Sequence, residues 1–405
     1  MNNSALKSFA IVCFTIFGLN MITSCQSKNP LDKIMASDSP KIKAITDNLN
    51  KHEVQVIYTQ IERDETGNPS FKTFDFQRDD FRYFYPASTA KLPVAVLAIQ
   101  KIRQMQHDGI EISLDSRFEV FDPKSGEVII DKDSTAESGY PSIRHMIKKI
   151  FLVSDNDAYN YLFDFLGRDY VNNYLSIYGM EPSHLNHKFL YGADNKHTWE
   201  FKFYNEQNEL VYEQASLTST IERHRMPLKG MIKGVGYTDN EGTLYNEPFN
   251  FSEKNYFSLT SLNKILIGVL FPKTLPLDQR FKINNEDHEF LQYWMSRNTF
   301  ESEYPNYKTE GYYESYVKFL MFGDDKNPMP DNIRIYNKVG DAYGTLTDVA
   351  YIVDSENNIE FMLAATVHVN ENQIFNDGVY EYDSLGFPFM AELGRQVYNY
   401  ELSRK

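Results

Sequence analysis

The chain reads as a mixed α/β protein (α+β): an antiparallel sheet assembled from both chain ends and flanked by helices, plus an all-helical lobe. Three observations predict this. Alternating runs rich in β-branched and aromatic residues stand near the start (54–61, 71–76) and near the end (334–338, 345–353, 359–369). Apolar residues at helical spacing fill much of the middle. No internal repeat, heptad run or low-complexity tract competes with that pattern. The simplest assembly inserts the helical lobe between the two halves of one sheet.

Taken in order, residues 31–49 have helical spacing with polar interruptions. Residues 54–61 and 71–76 form a hairpin about the turn chemistry of Asp64-Glu65-Thr66-Gly67-Asn68-Pro69. Pro86 ends any regular element before Ser88, and 91–105 is a buried helix through Leu92, Ala95, Val96, Ile99 and Ile102. Residues 142–153 and 158–166 read as helices jointed at Ser154-Asp155-Asn156, and 170–178 continues the helical pattern. Residues 190–255 are polar and aromatic, with strands at 200–204 and 210–212 and a turn at 205–208. Helices follow at 259–270 and 289–295, then the three late strands with a turn at 354–358, and a final helix at 389–400. This divides the chain into an α/β lobe (41–90 and 330–405) and a helical lobe (91–329) carrying a long insertion at about 190–255.

The first 24 residues are a secretory signal peptide: Lys7 gives a positive start, 9–19 is largely apolar, and small residues follow. That run is too short to span a bilayer. Ile22-Thr23-Ser24-Cys25 resembles the lipobox of bacterial lipoproteins. The resemblance implies cleavage before Cys25, lipidation of its thiol, and a membrane anchor at the cell envelope, periplasmic or outer-membrane. Residues 25–40 read as a polar tether. The other cysteine, Cys13, leaves with the signal, so burial rather than an intramolecular disulfide must stabilise the mature chain. Aromatic residues at 15% supply large areas for that. A net charge of −15 argues against nucleic acid as a partner, which needs a cationic stripe.

Three short motifs carry the chemistry: Ser88-Thr89-Ala90-Lys91, Ser154-Asp155-Asn156 and Lys338-Val339-Gly340. Ser88 and Lys91 share a helix face, so the amine reaches the hydroxyl. Burial near a second cation lowers a lysine pKa enough to let it activate serine. The helix start also aims backbone N–H groups at a developing oxyanion. Alone, the spacing is weak, since Ser4/Lys7 and Ser261/Lys264 share it. Ser154 is read as a proton shuttle to a leaving nitrogen, Asn156 as a holder of a substrate amide, and Asp155 as fixing the loop. The plainer alternative is that Ser154 and Asp155 merely cap a helix. Lys338, on a strand, meets a substrate carboxylate and depresses Lys91, while Gly340 lets substrate approach the strand edge. Lys124-Ser125-Gly126 is a decoy in turn-like sequence ahead of Ser154.

This ordered set, with Tyr343-Gly344-Thr345 and Asp348-Val349-Ala350-Tyr351-Ile352 after the lysine, resembles the class A serine β-lactamases and the related penicillin-binding D-Ala-D-Ala enzymes. Leu291-Gln292-Tyr293-Trp294-Met295-Ser296-Arg297-Asn298-Thr299 resembles that family's helix before the last strands. The resemblance covers most of 45–400. It implies a site in the cleft between the lobes and attack by Ser88 on a β-lactam or peptide carbonyl to give an acyl-enzyme. It also implies an oxyanion hole of the Ser88 and Asp341 backbone N–H groups, substrate contacts from Asn156, Val339, Gly340 and Asp341, and no cofactor or metal.

Two departures stand out. Val339 replaces the family's Thr or Ser hydroxyl, a loss of roughly 1.5–3 kcal/mol if that hydroxyl bonds a carboxylate. No Glu-x-x-Leu-Asn loop supplies a deacylating carboxylate. Glu181 precedes Leu185-Asn186 at the wrong spacing, and Asp194, Glu200, Glu206, Glu209 and Glu213 in the insertion are undistinguished. Without such a base an acyl-enzyme hydrolyses slowly. His184 and His187 have no third metal ligand nearby, Pro182 argues against a helix there, and His224 and His368 read as surface and structural. Phe290 and Trp294 read as core. The alternatives to a β-lactamase-type hydrolase are a D-Ala-D-Ala peptidase or esterase and a non-catalytic binding lipoprotein of the same fold.

Overall fold

The computed structural model describes residues 29–190, 194–220, 226–309 and 311–405. The signal segment, Cys25 and His224 lie outside the described residues. Among those described, no helix is long and apolar enough to cross a membrane.

A five-stranded antiparallel sheet joins the chain ends as expected. Its order is Ile333–Ala342, Thr345–Asp354, Ile359–His368, Gln55–Arg63, Pro69–Phe76. The hairpin closing Ala342 onto Thr345 uses the two residues Tyr343 and Gly344, both at positive φ (52° and 76°). That is the turn whose twist suits a tight hairpin, and glycine takes its second position without strain.

Alternation then sorts the side chains of the sheet onto two faces. Val56, Tyr58, Ile335, Val339, Phe361, Leu363 and Ala365 join one core, covered by Phe387–Ser403, Pro30–Met35 and Pro40–Thr46. Ile57, Ile61, Val349, Met362 and Ala364 join the other, shared with the helical lobe. Each fully buried Leu, Ile or Phe adds about 1.5–3 kcal/mol.

Lys91–His107 is the helix on which this lobe is built, with Leu92 to Gln100 wholly buried. Ile143–Val153, Asn156–Leu166, Arg168–Ile177, Leu259–Leu270 and Asn285–Ser296 pack with it. Ser142 caps the first of these by accepting from His145 N at 3.2 Å. Asn284 and Asp287 make a reciprocal capping box on the last.

Two expectations are corrected. The lobe is not all helical: Val128–Ile130, Arg117–Phe121, Glu200–Tyr204 and Leu210–Gln214 form a four-stranded sheet, in that order. The cause is period-2 alternation in the insertion. Phe201 and Phe203 are buried against Phe118 and Phe165, while Glu200, Lys202 and Tyr204 face outward. The tether is shorter than expected, because Pro30–Met35 is a helix whose Leu31, Ile34 and Met35 are buried. Asn29 caps it, accepting from Leu31 N at 3.0 Å. Those three apolar residues sit at i, i+3 and i+4, one helical face inside a polar stretch.

Candidate active site

Ser88 lies in the 3₁₀ turn Ala87–Ala90, directly ahead of Lys91–His107. Pro86 stops the preceding segment, and its carbonyl accepts from both Thr89 N (3.1 Å) and Thr89 Oγ1 (2.6 Å). Ala87 takes φ 45°, a conformation costly for a non-glycine residue and often found at functional turns. The result leaves Ser88 partly exposed while Thr89, Ala90 and Lys91 are buried.

Lys91, one turn on, is fully buried. Its Nζ donates to the Ser154 carbonyl and to Asn156 Oδ1 (2.6 Å), with Ser154 Oγ at 3.3 Å. Burial, and then the neighbouring Lys338, hold this amine well below the usual lysine range. Such a lysine is poised to accept a proton from a serine hydroxyl.

The joint between Ile143–Val153 and Asn156–Leu166 does two jobs. Asp155 caps the second helix, accepting from Ala158 N at 2.8 Å, and its carboxylate is 3.5 Å from Lys149 Nζ. Ser154 ends the first helix in the left-handed region, at φ 60°, which aims its carbonyl and hydroxyl at the lysines. Capping is therefore the role of Asp155, while Ser154 and Asn156 face Lys91.

Lys338 sits on Ile333–Ala342, an edge strand of the main sheet. Alternation turns it toward the helical lobe, where its Nζ donates to Ser154 Oγ (2.8 Å) and to the Val339 carbonyl (2.9 Å). Burial lowers it to about 7, with Lys318 adding to the effect. Behind the strand Lys318 Nζ donates to Met295 O (2.8 Å), Ile335 O (2.8 Å) and Asn337 Oδ1 (2.7 Å). Asn337 Nδ2 in turn donates to Asp348 Oδ1 at 2.8 Å. Burial lowers Lys318 to about 7 and raises Asp348 to about 6. Lys318 and Asn337 carried no motif signal.

Gly340 packs on the turn that carries Ser88. A Cβ there would stand 2.6 Å from Ser88 N, 2.7 Å from Pro86 O and 2.7 Å from Thr89 N. The close approach that glycine permits is thus by the chain's own turn, where the sequence suggested a substrate. Val339 is a correction. Its side chain is 2% exposed and lies in the opposite core, because successive strand residues alternate faces. It offers substrate no side-chain contact. Asp341 is exposed at the strand end, and its negative charge acts on both Lys91 and Lys338.

The decoys go elsewhere. Lys124 is exposed, 3.5 Å from Asp194. Ser261 bonds Ser258 Oγ and the Met180 carbonyl. Glu181 is exposed and accepts from Ser176 Oγ at 2.9 Å. Asp194 pairs with His197, Glu209 with Asn205 and Glu213 with Lys202. None of these three, nor Glu200 or Glu206, is bonded to Lys91 or Lys338 among the described residues. What Lys91 meets instead is the ring of Phe189, its centroid 5.1 Å from Nζ. Two surface clefts, one lined by Glu301 and Arg334 and one by Arg168 and Ser219, include none of Ser88, Lys91, Ser154 and Lys338.

Residues 39–226 match the model of the beta-lactamase enzyme family. This stretch holds the first two motifs and ends before Lys338. Among solved structures, the chain is similar to a beta-lactamase from Sphaerobacter thermophilus at 15% identity, covering 91% of this chain and 97% of that one, with a TM-score of 0.47. It is similar to a beta-lactamase from Desulfarculus baarsii at 13% identity (90% and 97%, TM-score 0.47). It is similar to one from Burkholderia ambifaria at 12% identity (87% and 96%, TM-score 0.47). No curated protein matches the chain in sequence.

Proposed function

We propose that this chain belongs to the serine β-lactamase and penicillin-binding family and is a hydrolase that forms an acyl-enzyme on Ser88, a reading supported by the match of residues 39–226 to the beta-lactamase enzyme family. The observation that carries the reading is the convergence on one hydroxyl. Ser154 Oγ lies 2.8 Å from Lys338 Nζ and 3.3 Å from Lys91 Nζ, although the three residues come from distant parts of the chain.

Lys91, its pKa held low by burial, takes the Ser88 proton as Oγ attacks the carbonyl carbon. The backbone N–H groups of Ser88 and Asp341 bind the resulting oxyanion. Ser154 relays the proton to the leaving nitrogen as the C–N bond breaks. Lys338 holds Ser154 in place and supplies positive potential. Asn156 gives its Oδ1 to Lys91, which leaves its Nδ2 for a substrate carbonyl.

Incubating the protein with benzylpenicillin and weighing it tests this. A single acyl adduct, lost in Ser88→Ala, is the expected result. No adduct from several β-lactams and a fluorophosphonate overturns acyl chemistry, and leaves a binding lipoprotein.

A second reading concerns the substrate. Val339 is buried in the core and Asp341 sets a negative charge beside Lys338, so a substrate carboxylate is poorly received. This favours neutral esters or peptide amides over carboxylate-bearing β-lactams. Faster turnover of p-nitrophenyl esters than of nitrocefin supports it, and the reverse order counts against it.

The same reading holds the chain at the bacterial envelope through an acylated Cys25. Cys25→Ala is then expected to move the protein from the membrane to the soluble fraction.

A further inference from the structure

The loop 185–190 reaches Lys91 with carbon. The Phe189 ring centroid is 5.1 Å from Lys91 Nζ and 4.6 Å from the Tyr159 ring. The wall continues through His187, 6.1 Å from Phe189, to Tyr85, whose ring stacks on His187 at 6.1 Å and 5°. Tyr85 in turn meets Tyr343, at the hairpin tip beyond Asp341, at 5.0 Å. Five rings thus border the nucleophile turn, from the lysine to the end of the edge strand.

The loop is pinned along its length. Asn172 bonds the backbone N (2.9 Å) and O (2.8 Å) of Leu185. Asn255 Oδ1 accepts from Asn186 N (2.6 Å) and His187 N (3.0 Å). Lys188 Nζ donates to buried Asp164 at 2.8 Å, and Trp199 N donates to the same oxygen at 2.9 Å. Asn160 holds Phe189 itself, accepting from its N at 2.8 Å and donating to its O at 2.9 Å. A ring so fixed is a built part of the site.

We infer that Phe189 is a positioning residue that dries Lys91, and that the wall it belongs to makes the Ser88 ester slow to hydrolyse. The inference rests on the acyl-enzyme reading above. Hydrolysis would form a bond from a water oxygen to the acyl carbon and break the bond from that carbon to Ser88 Oγ. One water proton must pass to a base and a proton must return to Oγ. Among the described residues no carboxylate is hydrogen-bonded to Lys91; Asp155, Asp157 and Asp341 act on it through charge alone. Lys91, the amine in reach, is fully buried with the ring against it. The ring is part of the burial that holds this amine's pKa low, an effect that outweighs the attraction of its π face for an ammonium. One side chain thus favours the first half of the reaction and impedes the second. The product is a covalent trap for an acyl donor.

The test is intact-mass kinetics on the mature protein after a pulse of benzylpenicillin, with Phe189→Leu, Phe189→Ser and Phe189→Glu checked for folding by thermal melt. The wild-type adduct is expected to persist for hours. Phe189→Leu keeps that lifetime within about threefold, because an apolar group still covers the amine. Phe189→Glu shortens it by roughly 10²-fold or more, the size of a general-base contribution. Phe189→Ser moves the acidic limb of the acylation pH profile upward, which a merely structural role would not do. A wild-type adduct that forms and clears within seconds overturns this inference and leaves the acyl-enzyme reading intact. Phe189→Glu that folds, acylates and retains the wild-type lifetime also overturns it. Absence of any adduct, in wild type and all variants, overturns the reading beneath it.

Discussion

Two segments touch Lys91, and they differ in kind. The joint Ser154-Asp155-Asn156 reaches it with three oxygens, the Ser154 carbonyl, Ser154 Oγ and Asn156 Oδ1. The loop 185–190 reaches it with an aromatic ring. Both are rigidly held, the joint by a helix on each side and the loop by amide side chains and a buried ion pair. In the proposed reaction the polar segment gives the lysine somewhere to pass a proton, and the apolar segment helps hold its pKa low. A reactive amine needs both, because burial without acceptors strands a charge and acceptors without burial keep the amine protonated.

The largest effects should come from breaking the polar side. Lys91→Met is expected to slow acylation by roughly 10³-fold, within the range for loss of a general base, as read by fluorophosphonate labelling. Ser154→Ala should cost about 10²-fold in acylation with little change in thermal stability, because the helix-ending role of Ser154 belongs to its backbone. Asp155→Ala inverts that pattern. It removes the cap on Asn156–Leu166 and is expected to cost about 1 kcal/mol of stability by urea melt, with a small effect on labelling.

Two further changes sharpen the contrast. Asn160→Ala leaves the Phe189 backbone unpaired, so it should destabilise by about 1–3 kcal/mol. Val339→Thr places a hydroxyl in the core under the terminal helix. It is expected to cost about 1–3 kcal/mol and to leave β-lactam acylation unimproved. Improved acylation there would mean that residue 339 faces substrate after all.

A last prediction concerns pH. Lys318 and Lys338 are both depressed to about 7 from 10.5, so between those values the unfolded chain holds protons the folded chain has released. Their contribution to stability therefore rises with pH across that window and is lost as pH falls through about 7. Urea melts at pH 7 and pH 9 should show the increase for wild type, and a smaller one for Lys338→Met.

The strand and helix pattern of the main sheet was legible because each strand has its own period and two of its hairpins their own turn chemistry, at Asp64–Asn68 and Asp354–Asn358. The polar half of the site was legible for a similar reason: hydroxyl and amine chemistry is local, and three short motifs specify it. The second sheet was half legible: 200–214 alternates, and Arg117-Phe118-Glu119-Val120-Phe121 alternates too, but nothing local shows that the two pair. Phe189, Lys318 and Asn337 were not legible. Their roles exist only through neighbours distant in sequence: Asn160 and Asp164 for the loop, Met295 and Asp348 for the strand. The face of Val339 was readable in principle, because a strand that turns Lys338 inward must turn its neighbour outward.

A crystal structure of the protein after reaction with benzylpenicillin or a fluorophosphonate would show whether acylation takes place at Ser88. Expected are a covalent bond to Ser88 Oγ, the former carbonyl or phosphoryl oxygen between the Ser88 and Asp341 amides, and Ser154 bridging Lys91 and Lys338 beside it. An adduct on a different residue, or Lys338 and Ser154 turned away from the bonded oxygen, would contradict the proposed chemistry.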